Sequence, residues 1–384
     1  MLRDTQGIAP SHVVLPVDFV PVVARFDGRR TCQEIAREAS IELRERVPAD
    51  VVVRLATELE DALFVDGPAF REERDRVERT FAEADVRPAS HAGGAYHDDP
   101  KKLARYIDDE CLGKARPRDD GRPGGTLAAL IAPHIDPWRG ARCYGTAYSA
   151  LRDALPEDAE TFVLFGTSHA PMRQPFSVCR KAFATPLGPL EADLAAIDEL
   201  AAATELDLFA DQLNHKREHS LEFQAFFLKR LLGTRTARIV PILAGLGAQQ
   251  SSGRSPSAES AVDRFYDSLR ALVEDRRAVV IAGADLAHVG PRFGDAKPLT
   301  DRQRTLLDET DRESLDHAER LDAESFWRHV VRDLDTRRVC GLGPIYSLLR
   351  TMRSGASGAL HHYEQTIDEE EGSIVSHAAM GFYR

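Results

Sequence analysis

Leu127-Ala128-Ala129-Leu130-Ile131-Ala132-Pro133-His134 is an unbroken apolar run that ends on a proline and an imidazole. A parallel strand buried on both faces reads as such a run. Two more stretches have the same form: Thr161 to Phe165 leads into Gly166-Thr167-Ser168-His169, and Ala278 to Gly283 leads into Asp285-Leu286-Ala287-His288. In open α/β sheets the loops that leave the carboxyl ends of strands collect the ligand-binding groups. The pattern therefore predicts His134, His169 and His288 at one edge of one sheet. A fourth segment, His215-Lys216-Arg217-Glu218-His219, has helical spacing, with Glu218 and Glu222 on or beside the face shared by its two imidazoles. A single His after a strand is more often a hydrogen-bonded core or loop residue than a ligand. Three such residues in three strand-end loops point instead to a metal or acid/base site. His12, His91, His97, His317, His329, His361, His362 and His377 read as ordinary structural residues.

From Leu127 onward, strands alternate with helices. Helices are predicted over Cys143–Leu155, Glu191–Ala203, His219–Leu232, Ala261–Glu274, within Asp301–Leu334, and over Gly343–Met352. Further strands are predicted over Arg238–Leu243 and Val375–Tyr383. This alternation implies an α/β fold with a mostly parallel sheet and helices on both faces. The Ser/Gly/Gln-rich stretch from Gly247 to Ser260 reads as a surface loop. Upstream, Asp99-Pro100 opens a predicted helix to Leu112, and Pro117 to Gly125 reads as a loop.

At 384 residues the chain is long enough for two domains. The composition shift at Asp85 to His97, rich in Pro, Gly and Ser, reads as a linker and divides the chain into 1–88 and 89–384. In the first part, Asp27-Gly28 marks a turn, Thr31 can cap a helix from Cys32, a second helix runs from Ala49 to Ala62, and Leu63-Phe64-Val65-Asp66-Gly67 reads as a strand and turn. The expectation is a small winged-helix-like domain. A formal charge of -12 argues against a phosphate-tracking nucleic-acid protein. Five scattered cysteines without a paired spacing, a start lacking a signal peptide, and no apolar run near membrane length predict a cytoplasmic protein with no membrane partner.

Imidazoles with a carboxylate suit iron, copper, zinc or manganese, and an open coordination position would make such a site catalytic. His215-x-x-Glu218-His219 also fits the inverted zincin pattern of a zinc-dependent hydrolase, although that reading gives His134, His169 and Asp285 no role. Cys340 precedes Gly341 and a predicted helix, a place where a helix dipole can lower a thiol pKa, but a buried inert Cys is the more ordinary reading.

Taken in order, Ala132-Pro133-His134, Gly166-Thr167-Ser168-His169, Glu218-His219-Ser220-Leu221-Glu222, Gly283-Ala284-Asp285-Leu286-Ala287-His288 and Val339-Cys340-Gly341 resemble the successive signatures of the Memo-like family, also called AmmeMemoRadiSam system protein B. Gly94 to Leu103 is similar to that family's start and Ser376 to Phe382 to its last strand. The Phe26-Asp27-Gly28-Arg29-Arg30-Thr31 segment resembles PqqD-like peptide-binding domains. The Memo resemblance implies a fold similar to class III extradiol dioxygenases, which use non-haem iron, and a metal site lined by His134 and His169, with His219 as acid/base. The third donor in the family pattern comes from the Asp285 segment. Ala287 occupies the place of a Cys or Ser there, so Asp285 or His288 is expected to serve, Asp285 first.

The function expected from these residues is a metal-dependent oxidoreductase acting on a small-molecule or peptide-borne substrate. Its divalent metal is expected to be iron, with copper or zinc as alternatives. His134, His169 and Asp285 would hold that metal, while His219, Glu222 and His288 would do acid/base work. The rival is a non-catalytic accessory protein of a radical-enzyme system that modifies peptides.

Overall fold

A computed structural model of the chain describes residues 1–2, 4–115, 124–352 and 355–384. The loop read at Pro117–Gly125 lies outside the described residues as far as Pro123. The chain divides into two compact units, Met1–Ala84 and Asp85–Arg384.

The first unit is helical. Cys32–Leu43, Ala49–Asp61 and Pro68–Glu83 are its main helices. Thr31 and Glu34 form a reciprocal capping box at the start of the first, satisfying two amide donors that the helix leaves unpaired. Val22, Ile35, Ala36, Ala39, Val52, Leu55 and Leu59 make its core. The strand read at Leu63–Val65 is not formed. Leu63 takes a left-handed conformation with φ 63° and the chain turns there instead. Among the described residues, β pairing in this unit is confined to one bridge, Leu2 with Val13.

The second unit is a mixed α/β structure built on a nine-stranded, mostly parallel central sheet. Its middle is Leu127–Ala132, Val279–Gly283, Thr161–Thr167 and Arg238–Ala244, neighbouring in that order and all parallel. Every residue of the first two of these strands is buried, as in a sheet covered on both faces. One face carries Ala129, Ile131, Val163, Phe165, Val240, Ile242, Val280 and Ala282, packed with Phe265, Leu269, Phe326, Trp327 and Ile345. The helices Pro137–Ala154 and His219–Leu232 also pack on the central strands.

Antiparallel strands extend one side of the sheet. Ile374–Tyr383 pairs with Leu127–Ala132, Ser357–Ile367 and Asp285–Val289. The last two strands escaped the sequence reading. Asp285–Val289 carries two polar groups of a site, and Ser357–Ile367 mixes His, Glu, Gln and Thr among its apolar residues, so neither shows an apolar run.

Three other readings need correction. Gly247–Ser260 is not a bare loop: Gly247–Ser252 is helical, Pro256–Ala258 forms a helical turn, and Gln249 is buried. The helix read from Glu191 starts at Leu194, because Glu191–Ala192 pairs with Arg238–Ile239 and Asp193 caps the helix. Nor is Asp85–His97 a linker. Val86–Arg87 pairs with Ala182–Phe183, and Arg87 and Tyr96 are buried.

Candidate metal centre

The carboxyl ends of three adjacent strands deliver the first groups. Leu127–Ala132 runs into His134, Thr161–Thr167 into His169, and Val279–Gly283 into Asp285. His134 is held at both ends: its amide donates to Asp285 Oδ1 at 2.8 Å, and its Nδ1 lies 2.9 Å from the Gly283 carbonyl. A carbonyl can only accept, so Nδ1 carries the proton and the Nε2 lone pair faces the site. Gly283 also lets the start of the His219–Leu232 helix approach the strand end, since a Cβ there would lie 2.4 Å from the Ser220 carbonyl.

His169 is held in the same manner by a carboxylate. Its amide donates to Glu218 Oε2 at 2.9 Å and its Nδ1 lies 3.0 Å from Glu218 Oε1, which again leaves Nε2 free. Such partners fix the tautomer and raise the basicity of a metal-binding imidazole. Burial pulls the His169 pKa down, but the Glu218 carboxylate outweighs it and the net shift is upward. Despite its own burial, Glu218 is held below the usual carboxylate range by His169 and His219.

The third atom that converges with these two imidazoles is the Cys340 thiol sulfur. Its Sγ lies 3.1 Å from His134 Nε2, and the ligand atoms of His134, His169 and Cys340 lie within 4.8 Å of one another. The favourable dipole anticipated for Cys340 does not decide its state: burial and the nearby Asp285 carboxylate raise the thiol pKa well above normal. A cation held at Sγ would reverse that balance, because a coordinating thiol is deprotonated. His169, Glu218 and His219 form a second close group. Glu218 there already accepts from the His169 amide and ring and from the Ser220 amide, so its oxygens are committed to hydrogen bonds.

The other expected site residues have different placements. Asp285 is buried, with Oδ1 on the His134 amide and Oδ2 3.7 Å from His134 Nε2, so it stands beside His134 while Cys340 completes the close group of donors. His219 stacks on His169 at 4.6 Å between ring centroids and meets His134 edge-on at 5.4 Å. Burial lowers its pKa to about 3, so it is neutral near pH 7.

Glu222 does not orient His219. It accepts from Arg87, the Ser90 and His91 amides, His91 Nδ1 and the Tyr96 hydroxyl, and so ties down residues 87–96. Glu218, 3.4 Å from His219 Nδ1, is the carboxylate beside that ring. His288 turns its Nδ1 to the Leu286 carbonyl at 3.2 Å and its ring edge to Phe293.

His215 is absent from the cluster. It lies in a helical turn, Gln212–Arg217, that ends at Glu218, and its Nε2 bonds the Ser177 carbonyl at 3.1 Å. The i, i+4 spacing with His219 therefore does not place both rings on one helix face. Ala287 donates its amide to Ser376 and packs in a separate apolar cluster, so its lack of a donor atom costs this site nothing. His91, read as structural, faces His219 at 5.7 Å between rings. Its signal was weak because it lies in a segment with the composition of a linker.

Fold and site together define an α/β protein with an imidazole and thiol cluster at the carboxyl edge of its sheet. A family model described as Memo-like protein matches residues 87–381, and the chain belongs to that family. Among similar proteins, a MEMO1 family protein of Aquifex aeolicus is 26% identical over all of this chain and 96% of its own length. A MEMO1 family protein of Thermus thermophilus is 30% identical over 87% of this chain and 93% of its own. The protein memo-1 homolog of Caenorhabditis elegans is 28% identical over 69% of this chain and 71% of its own.

Proposed function

We propose that the protein is a metal-dependent oxidoreductase for a small or peptide-borne substrate, with a divalent transition metal held by Nε2 of His134 and His169 and by Sγ of Cys340. The observation that carries this reading is the convergence of those three atoms, two of them on imidazoles whose Nδ1 is bonded elsewhere. The expected two-His, one-carboxylate set gave the argument for iron. With a thiolate as third donor, copper and zinc fit equally, since soft ligands favour them. A bound metal would supply Lewis-acid or redox chemistry.

The chain's own residues do the rest. Gly283 and Glu218 fix the two ring orientations, and Asp285 fixes the His134 backbone. His219, neutral and partly exposed, is the group able to take up or release a proton beside the substrate. The dioxygenase comparison makes catechols the first substrates to try.

Metal analysis of the purified protein should find one ion per chain, lost in His134→Ala and His169→Ala, with oxygen consumed when a catechol panel is added. Protein that takes up no iron, copper or zinc would defeat the reading and favour the accessory role in peptide modification.

A further inference from the structure

Cys340 is delivered by an unusual turn. Leu334, Asp335 and Arg338 all adopt left-handed backbone conformations, with φ of 59°, 53° and 52°. None is glycine, and non-glycine residues keep such a conformation only where the surroundings impose it. Concentrated within six residues of a candidate ligand, this conformation needs a restraint.

The restraint is visible. Both oxygens of the Asp335 carboxylate accept the Val339 amide at 3.0 Å. Gln250 Nε2 donates to Asp335 Oδ2 at 2.5 Å and to the Val339 carbonyl at 3.1 Å. One amide thus clamps the two ends of the turn. On the far side of Cys340, its own carbonyl accepts from Thr167 Oγ1 at 2.9 Å, and the Gly341 amide donates to the Asp285 carbonyl at 3.0 Å. The thiol sits between these two sets of bonds.

Resting on the reading of Cys340 as a metal donor, we infer that Gln250 and Asp335 are positioning residues that hold the strained 334–339 turn so that Cys340 Sγ meets the two imidazoles. Neither touches the cluster. Their effect passes through the Val339 backbone, and supporting groups of this kind typically change metal affinity about 10- to 100-fold when removed.

The test uses Co2+ titrated into the full-length protein. Thiolate bound to Co2+ gives a near-ultraviolet charge-transfer band, whereas the visible bands report the coordination as a whole. The wild type should show the thiolate band and Cys340→Ser should lose it. Gln250→Ala and Asp335→Asn should bind Co2+ about 10- to 100-fold more weakly, with the thiolate band reduced relative to the visible bands.

Asp335→Asn is chosen because Asn tolerates a left-handed backbone. Should it unfold, Gln250→Ala, on a short and largely exposed helix, decides alone. A thiolate band that Cys340→Ser removes, but that both turn variants keep at wild-type strength and affinity, overturns this inference and leaves the metal reading standing. Identical spectra for wild type and Cys340→Ser overturn both.

Discussion

His134 and His169 are useful at this site because of what their Nδ1 atoms do. Each is tied to an acceptor outside the cluster, so each presents Nε2 in a fixed direction, and rigid placement is what a metal site requires. His134→Ala should abolish metal retention, and Cys340→Ser should weaken it. His219→Ala should keep the metal and lose turnover, which metal analysis alongside a rate measurement will separate.

His215→Ala should also keep the metal, because its ring bonds Ser177 away from the cluster. Loss of the metal there would revive the hydrolase motif. His134 and His169 were legible because each follows an apolar strand. Cys340 was visible only as a Cys before a helix. Its role depends on folding that brings residue 340 against residue 134, and spacing in one chain does not report such a meeting.

A second residue-scale outcome concerns acid. Burial lowers the His215 pKa to about 3, while in the unfolded chain it is near 6.5. Below pH 6.5 the unfolded state therefore binds a proton that the folded state refuses, and stability falls as pH falls until the folded value is reached. The expected slope from this one group is about 1.4 kcal/mol per pH unit between pH 6 and 4. Denaturant unfolding of wild type and His215→Gln across that range should show the variant with the shallower slope. Equal slopes would mean that His215 is not the group responsible.

Among the elements, the segment 87–96 shows how composition misleads. Its Pro, Ala, Gly and Ser residues suggest a solvated connector, yet Arg87 lies fully buried and donates to the His215 and Glu218 carbonyls as well as to Glu222. A buried ion pair is weak evidence of net stability, but deleting one partner strands the other charge, at about 3–5 kcal/mol. Glu222→Ala should therefore lower stability by that order and free residues 87–96, seen as faster amide exchange at Ser90 and His91. Unchanged exchange would show that the segment is held by other contacts. The buried parallel strands were read almost to the residue, because a strand covered on both faces leaves a continuous apolar signature. Ser357–Ile367 left none, because polar side chains stand along it: His362 bonds Glu364 within the strand, and Thr366 bonds His377 of the neighbouring strand.

At the scale of the molecule, each of the two units has its own core: the first around Ile35, Val52 and Leu55, the second on the sheet. All of the site's donors, and every bond described as holding them, come from residues 85–384. The Aquifex relative spans both units, so the first unit accompanies the second in at least one similar protein. If the first unit holds a peptide-borne substrate, as the resemblance of Phe26 to Thr31 to peptide-binding domains implies, that role is separate from building the metal centre. A chain lacking residues 1–84 should accordingly fold, bind one metal ion with affinity within about threefold of the full chain, and keep its turnover of small substrates. It should lose only the advantage of a peptide-borne one, seen as a rise in KM without a change in kcat. Loss of the metal on truncation would show that the first unit helps to form the centre, and would overturn this division of roles.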